Sequence, residues 1–279
     1  GLCDYQALKN AGCICISDDG RPVENAEMMR KALELSKENG LLVASHCEDL
    51  SIIDGGIMNK GEVSEKLGVK GMDRASEDYI TAREMILAQS VDARIHICHV
   101  STKGSTEMIR FAKSQGVKVT CETAPHYFMF TDKLLEKRDA DYRMNPPLRT
   151  DEDVKAIIEG IKDGTIDCII TDHAPHAPEE KADFEKAPNG VLGLETSLAA
   201  TLTALYHTGE ITLNKLVELM CVNPRKILGL DVPEIEKGST ADLVIADINE
   251  KWTVDVNKLH SISKNSVFKG QTLTGKALV

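Results

Sequence analysis

The chain has 279 residues, 42% of them hydrophobic, which is enough to bury a large core and to accommodate a β/α barrel of roughly 250 residues. Its formal net charge is −11 with acidic and basic residues interspersed, so it lacks the basic stripe of a nucleic-acid surface. No apolar stretch approaches the roughly 20 residues of a membrane span, and GLCDYQALKN at the start has neither a charged n-region nor an apolar h-region, so a cytoplasmic protein is expected.

In chain order, the first apolar run, Cys13 to Ile16, leads into Ser17-Asp18-Asp19-Gly20. A helix is predicted over Glu24 to Asn39, with Met29, Ala32, Leu33 and Ser36 at helical spacing and Gly40 closing it. Leu41 to Ser45 is the second run and ends at His46; residues 50 to 75 read as Gly-rich and irregular. Ser76 is placed as the cap of a helix bearing Tyr79, Ala82 and Ile86 on one face. Ile95 to His99 is the third run, followed by a helix with Met108 and Ala112 that Gly116 stops. Val117 to Cys121 is the fourth, ending at Glu122. After a loop with Pro125, Pro146 and Pro147 comes a helix in which Val154, Ile157, Ile158 and Ile161 fit the i, i+3, i+4, i+7 pattern, ending at Gly164. Asp167 to Thr171 is the fifth run and ends at Asp172. Leu192 to Tyr206 and Leu213 to Val222 read as helices, the second ended by Asn223-Pro224. From Ile235 to Val279 the pattern alternates like short antiparallel strands with Gly turns.

Five apolar runs, each ending in a residue able to bind metal or handle protons and each followed by a helix, are how a parallel β/α barrel delivers chemistry to its carboxyl-end mouth. A closed barrel needs eight such units, so the expected architecture is a partial barrel over residues 1–230 and part of a small β-sandwich over 231–279. With about 30 residues per unit, roughly 100 residues are expected to precede Gly1, and the chain reads as a piece of a longer protein. The eight cysteines lie mostly within strand-like runs and are expected to be free thiols of a reducing compartment.

Period-two alternation puts His99 with Ile95 and Ile97, and His96 with Cys98 and Val100, so one histidine of the two is expected to face inward. His99, at the strand's end, is the functional candidate and His96 a packing residue between strand and helix. His46 and His99 from neighbouring strands, with carboxylates from two others, suit a divalent ion such as zinc, and a bridging carboxylate would permit two. Of Asp18 and Asp19, one can project into the barrel while the other caps a turn. Asp172 can touch the metal and relay a proton to a leaving nitrogen. His176 is either a substrate contact or a loop histidine, and His126 is read as structural.

The motifs Asp18-Asp19-Gly20, His46-Cys47-Glu48-Asp49, His99-Val100-Ser101, Asn145-Pro146-Pro147-Leu148-Arg149, Thr171-Asp172-His173-Ala174-Pro175-His176 and Gly193-Leu194-Glu195-Thr196 resemble, in order, those of the bacterial class I dihydroorotases of the cyclic amidohydrolase superfamily. The resemblance implies a zinc enzyme of pyrimidine biosynthesis with two zinc ions per complete site, reversibly hydrolysing dihydroorotate to N-carbamoyl-L-aspartate. It implies Asp19 as the bridging carboxylate, His46 and His99 on one zinc, and Asp172 on the other as general base and acid. Asn145, His176, Asn189 and Gly190 are then the substrate-binding positions, although an aromatic often stands where this chain has Asn189. The family's His-x-His pair is absent among the eight histidines, 46, 96, 99, 126, 173, 176, 207 and 260, so the piece alone is expected to be inactive. A homodimer, and aspartate transcarbamoylase as a partner, are implied as well. The alternatives are another cyclic amidohydrolase (allantoinase, dihydropyrimidinase or hydantoinase) or a noncatalytic assembly partner. Against the first, no lysine able to be carboxylated lies between Asn10 and Arg21; against the second, every ligand expected within this span is present.

Overall fold

The computed structural model describes residues 1–232 and 234–278. After the short helix α1 (Tyr5–Asn10), the chain runs through strand β1 (Cys15–Ser17), helix α2 (Ala26–Asn39) and strand β2 (Leu42–Ser45). Helix α2 starts where the Asn25 side chain accepts from the Met28 amide at 2.9 Å and stops at Gly40, whose φ of 61° a side chain would oppose. The stretch expected to be irregular instead holds α3 (Leu50–Ile53), β3 (Met58–Asn59), α4 (Glu62–Leu67) and β4 (Gly71–Met72), with β3 and β4 paired in parallel. Ile53, Met58, Val63 and Met72 are buried there, so four apolar residues anchor what its glycines suggested was a loop.

Next come α5 (Ala75–Ser90), β5 (Ile95–Ile97), α6 (Lys103–Ser114), β6 (Val119–Thr123), α7 (Pro125–Met129), α8 (Asp151–Asp163) and β7 (Cys168–Ile169). Ser76 does not cap α5. It lies inside the first turn, where its hydroxyl accepts from the Asp49 amide at 2.7 Å and so pins the segment after His46. Tyr79 and Ile86 do share a face, but it is the outer one; Ile80, Thr81, Glu84, Met85 and Ala88 are buried.

The main sheet is parallel throughout, in the order β1-β2-β5-β6-β7, and among the described residues it does not close. Its core lies between one face and the helices: Val43, Ile95, Ile97, Val119 and Cys121 pack with Met29 and Leu33 of α2, Ile80 and Met85 of α5, Ile109 of α6, and Ile157 and Ile161 of α8. Burying apolar area at about 25 cal/mol per Å² is what holds such helices to a sheet. The registers Ala44↔His96↔Thr120 and Glu122↔Cys168 put a more polar set on the opposite face, the one a closed barrel turns inward.

The run from Leu192 to Tyr206 is helical only from Ser197: α9 (Ser197–Thr201) passes into a π turn at Leu202–Tyr206. Helix α10 (Leu213–Val217) likewise opens into a π turn at Glu218–Val222 and continues as α11 (Asn223–Leu228) straight through Pro224. The expected stop at Asn223-Pro224 therefore does not occur; Pro224 falls at the first turn of the segment after the wide turn, where a missing N–H is tolerated. The last strands, β8 (Ala246–Thr253) and β9 (Thr272–Ala277), form an antiparallel pair; Val279, the end of the strand-like pattern, and Pro233 lie outside the described residues. Val254, Val267, Phe268 and Leu273 pack with Tyr127, Leu135, Met144 and Ala199, so this tail shares a core with the loops above the sheet. All eight cysteines are free, with Cys47, Cys121 and Cys168 buried.

Candidate active site

Asp19, His46 and His99 converge at the carboxyl ends of β1, β2 and β5, with one donor atom from each lying within 4.8 Å of the others. His46 Nδ1 is 2.8 Å from His99 Nε2 and 3.3 Å from an Asp19 oxygen, which is itself 3.8 Å from His99 Nε2. Two imidazole nitrogens and a carboxylate converging on one point are a donor set suited to a divalent ion such as zinc. His99 turns Nε2 into this cluster, and its far nitrogen, Nδ1, is buried without a hydrogen-bond partner. The residues fit a metal.

The two neighbouring aspartates have separate tasks. Asp18 accepts from the His46 amide at 2.8 Å and from the Val23 amide at 2.9 Å, so its oxygens clamp β1 to β2, while Asp19 faces the imidazoles. Bonds from His46 and His99 hold the Asp19 carboxyl well below the usual carboxylate range. Burial pushes the His46 pKa down, but Asp19 and Glu48 override it and raise it to about 10.

Glu48, part of the His46-Cys47-Glu48-Asp49 motif but given no role there, turns back onto His46: its Oε2 is 3.2 Å from His46 Nε2. A carboxylate on the far nitrogen of a candidate ligand histidine fixes the ring's orientation and tautomer. The signal available in the sequence was its position two residues beyond His46 at a strand end. Asn145 donates to Glu48 Oε1 at 2.7 Å and sits 3.4 Å from His46 Nε2, so it too joins this group.

His96 of β5 and His99 just beyond its end both stand on the inner side, contrary to the alternation argument. His96 alternates with Ile95 and Ile97 and meets Thr120 Oγ1 at 2.8 Å and Glu122 Oε2 at 2.9 Å, so it is satisfied on the barrel face rather than between strand and helix. Glu122 is thereby occupied below the mouth. The strand ends at Ile97, and His99 takes φ 35°, a left-handed conformation that swings its ring out of the strand's parity and into the mouth. Asp172, beyond the end of β7, is also left-handed, with φ 46°.

Asp172 is not among the three tightly grouped donors, but it is close enough to feel His99, Asp19 and His46; burial above all raises its pKa. His126 Nε2 is 3.9 Å from Asp172 Oδ2, fully buried and without a hydrogen-bond partner. Burial, with the nearby His99, lowers its pKa to about 3, so the ring is neutral.

The remaining candidates form a second group. His176 Nε2 contacts the Asn189 carbonyl at 2.9 Å, and Gly190, at φ 140°, lies where a Cβ would collide with Ala174 and His176. His173 accepts from the amides of Gly193 and Leu194 at 3.1 and 3.4 Å, tying the strand-end segment to the loop before α9.

A parallel sheet with helices on its outer face and imidazole and carboxylate groups at its carboxyl ends has the layout of a barrel hydrolase mouth. The amidohydrolase family model matches residues 8–275, and the chain belongs to the amidohydrolase family, whose members depend on metal ions. It is 53% identical over 277 residues to a dihydroorotase of Geobacter metallireducens and 50% identical over 275 residues to one of Acetivibrio thermocellus, covering 99% and 98% of this chain. It spans 65% of the length of each of these relatives. Among solved structures, the L-hydantoinase (dihydropyrimidinase) of Arthrobacter aurescens superposes with a TM-score of 0.85 at 27% identity, over 98% of this chain and 64% of that one. The dihydropyrimidinase of Brevibacillus agri gives 0.84 at 25%, over 98% and 63%. These neighbours bear out the partial-barrel fold expected from the strand count. No helix among the described residues is long and apolar enough to cross a membrane.

Proposed function

We propose that this chain carries most of the active site of a dihydroorotase, which reversibly hydrolyses dihydroorotate to N-carbamoyl-L-aspartate in pyrimidine biosynthesis. The observation that carries the reading is the convergence of Asp19, His46 and His99 at three strand ends, in a chain about half identical to proteins named dihydroorotase. Asp19, His46, His99 and Asp172 are the proposed ligands of two zinc ions, with residues 1–230 as the catalytic part and 231–279 as the appended β segment. A divalent ion held there supplies Lewis acidity toward the ring carbonyl and lowers the pKa of water toward 7.

The chain's own side chains do the rest. Asp172 takes a proton from the attacking water and returns it to the ring nitrogen as the amide bond breaks. Glu48 keeps the His46 ring turned toward Asp19. Asn145, His176, Asn189 and Gly190 bind and orient the substrate. A neutral His126 against Asp172 keeps water from the closed side of that carboxylate.

A hydantoinase activity is the second reading, and the structural neighbours favour it. The absence of any lysine from Asn10 to Arg21 counts against it, since those enzymes usually carry a carboxylated lysine on that strand. Initial rates of the full-length protein on dihydroorotate and dihydrouracil decide between the two, and preference for dihydrouracil would move the assignment. A cytoplasmic homodimer, with aspartate transcarbamoylase as a partner, completes the proposal; co-purification from the native source tests the association.

A further inference from the structure

Asn265 lies in the tail, between β8 and β9, 75 to 91 residues from the mouth segments its side chain touches, yet it is buried with 2% of its surface exposed. Its Oδ1 accepts from the His176 amide at 3.2 Å. Its Nδ2 donates to the Ala174 carbonyl at 3.0 Å and to the Gly190 carbonyl at 2.9 Å, and its own carbonyl accepts from Leu192 at 3.0 Å. One amide therefore ties the segment after Asp172 to the loop carrying Asn189 and Gly190. Ser266, Val267 and Phe268 follow it, all buried, so the side chain projects from a fixed base. Lys181 holds the other end of the same loop by donating to the Pro188 carbonyl at 2.7 Å.

We propose that Asn265 is a positioning residue for the reaction: it sets the spacing between His176 and the Asn189–Gly190 turn that the substrate meets. The inference rests on the dihydroorotase reading for its kinetic arm alone. The chemistry asks for an amide specifically, because two carbonyls need donors while one N–H needs an acceptor. A carboxylate of the same shape would keep the acceptor but turn an oxygen toward both carbonyls, leaving them unpaired and repelled. Asn265 touches no reacting atom, so its loss should separate the two loops while leaving the metal cluster alone.

The test compares wild type with N265D and the milder N265S in the full-length protein, measuring kcat and KM for dihydroorotate, bound metal, and backbone amide exchange. The expected result for N265D is a KM raised about tenfold or more with a smaller change in kcat and unchanged metal content. Exchange at Gly190 and Leu192 should quicken by a similar factor while that at Ile97 in the sheet holds. N265S should fall between, and it carries the test if N265D does not fold. Unchanged KM and unchanged exchange overturn the proposal, as does a loss of metal in step with activity, which marks a general structural role. If the wild type does not turn over dihydroorotate, the functional reading fails, and the exchange measurement still decides whether Asn265 orders the two loops.

Discussion

Glu48 contributes through the ring it holds. With Oε2 at 3.2 Å from His46 Nε2 and Oε1 taking the Asn145 amide at 2.7 Å, it links a candidate ligand to a candidate substrate contact. Replacing it by Gln keeps the shape and removes the charge, and Glu48→Gln should weaken metal binding about 10- to 100-fold, read as metal retained after dialysis against a graded chelator. Retention equal to wild type would mean that the contact with His46 is incidental. At this scale the sequence separated the strand-end residues from the rest but not their directions. Alternation misplaced His96 because the rule presumes an unbroken strand, and β5 stops at Ile97 before the left-handed turn at His99. The residue pattern left Asp18 and Asp19 interchangeable; the resemblance chose Asp19, and what their oxygens meet agrees. Asn265 left no local signal, because its partners are distant in the chain.

Among the elements, α5 turns an unusually polar face inward, with Ser76, Glu77, Thr81 and Glu84 buried. Glu77 receives Arg149 and the hydroxyl of Ser101, and so is paired. Glu84 touches Arg83, but its second oxygen has no partner, and burial raises its pKa from 4.5 to about 7. The folded state thus holds a proton there that the unfolded state releases from about pH 4.5 upward, and stability falls as pH rises through 4.5 to 7, by an amount of order 3 kcal/mol. Glu84→Gln should therefore stabilise the protein more at pH 8 than at pH 5, measured as the difference in Tm from wild type; equal shifts at both would sink the idea. Gly193 is a second test of element packing, since a Cβ there would overlap the Thr171 carbonyl beside Asp172. Gly193→Ala should lower stability by about 1–3 kcal/mol in urea denaturation. The parallel strands and the longer helices were readable from apolar spacing and their caps. The π turns were not, because the apolar residues of Leu202–Tyr206 and Glu218–Val222 fit an ordinary helix equally well.

For the whole molecule, the sheet's open edges and the 65% coverage of the dihydroorotase relatives bear on activity. With no His-x-His in the sequence, the 279-residue chain alone should hydrolyse dihydroorotate at no more than background, and appreciable turnover by the purified chain would refute this. The tail was legible as alternating strands, but its attachment was not: Val254, Val267 and Phe268 enter a core made with Tyr127, Leu135 and Met144. Its reach into the mouth constrains how this protein can diversify. Because a single side chain reads both Ala174 and Gly190, the two loops are mechanically joined, and if they meet the substrate as proposed, altered specificity should arrive as paired changes in the two rather than by gradual wandering of either.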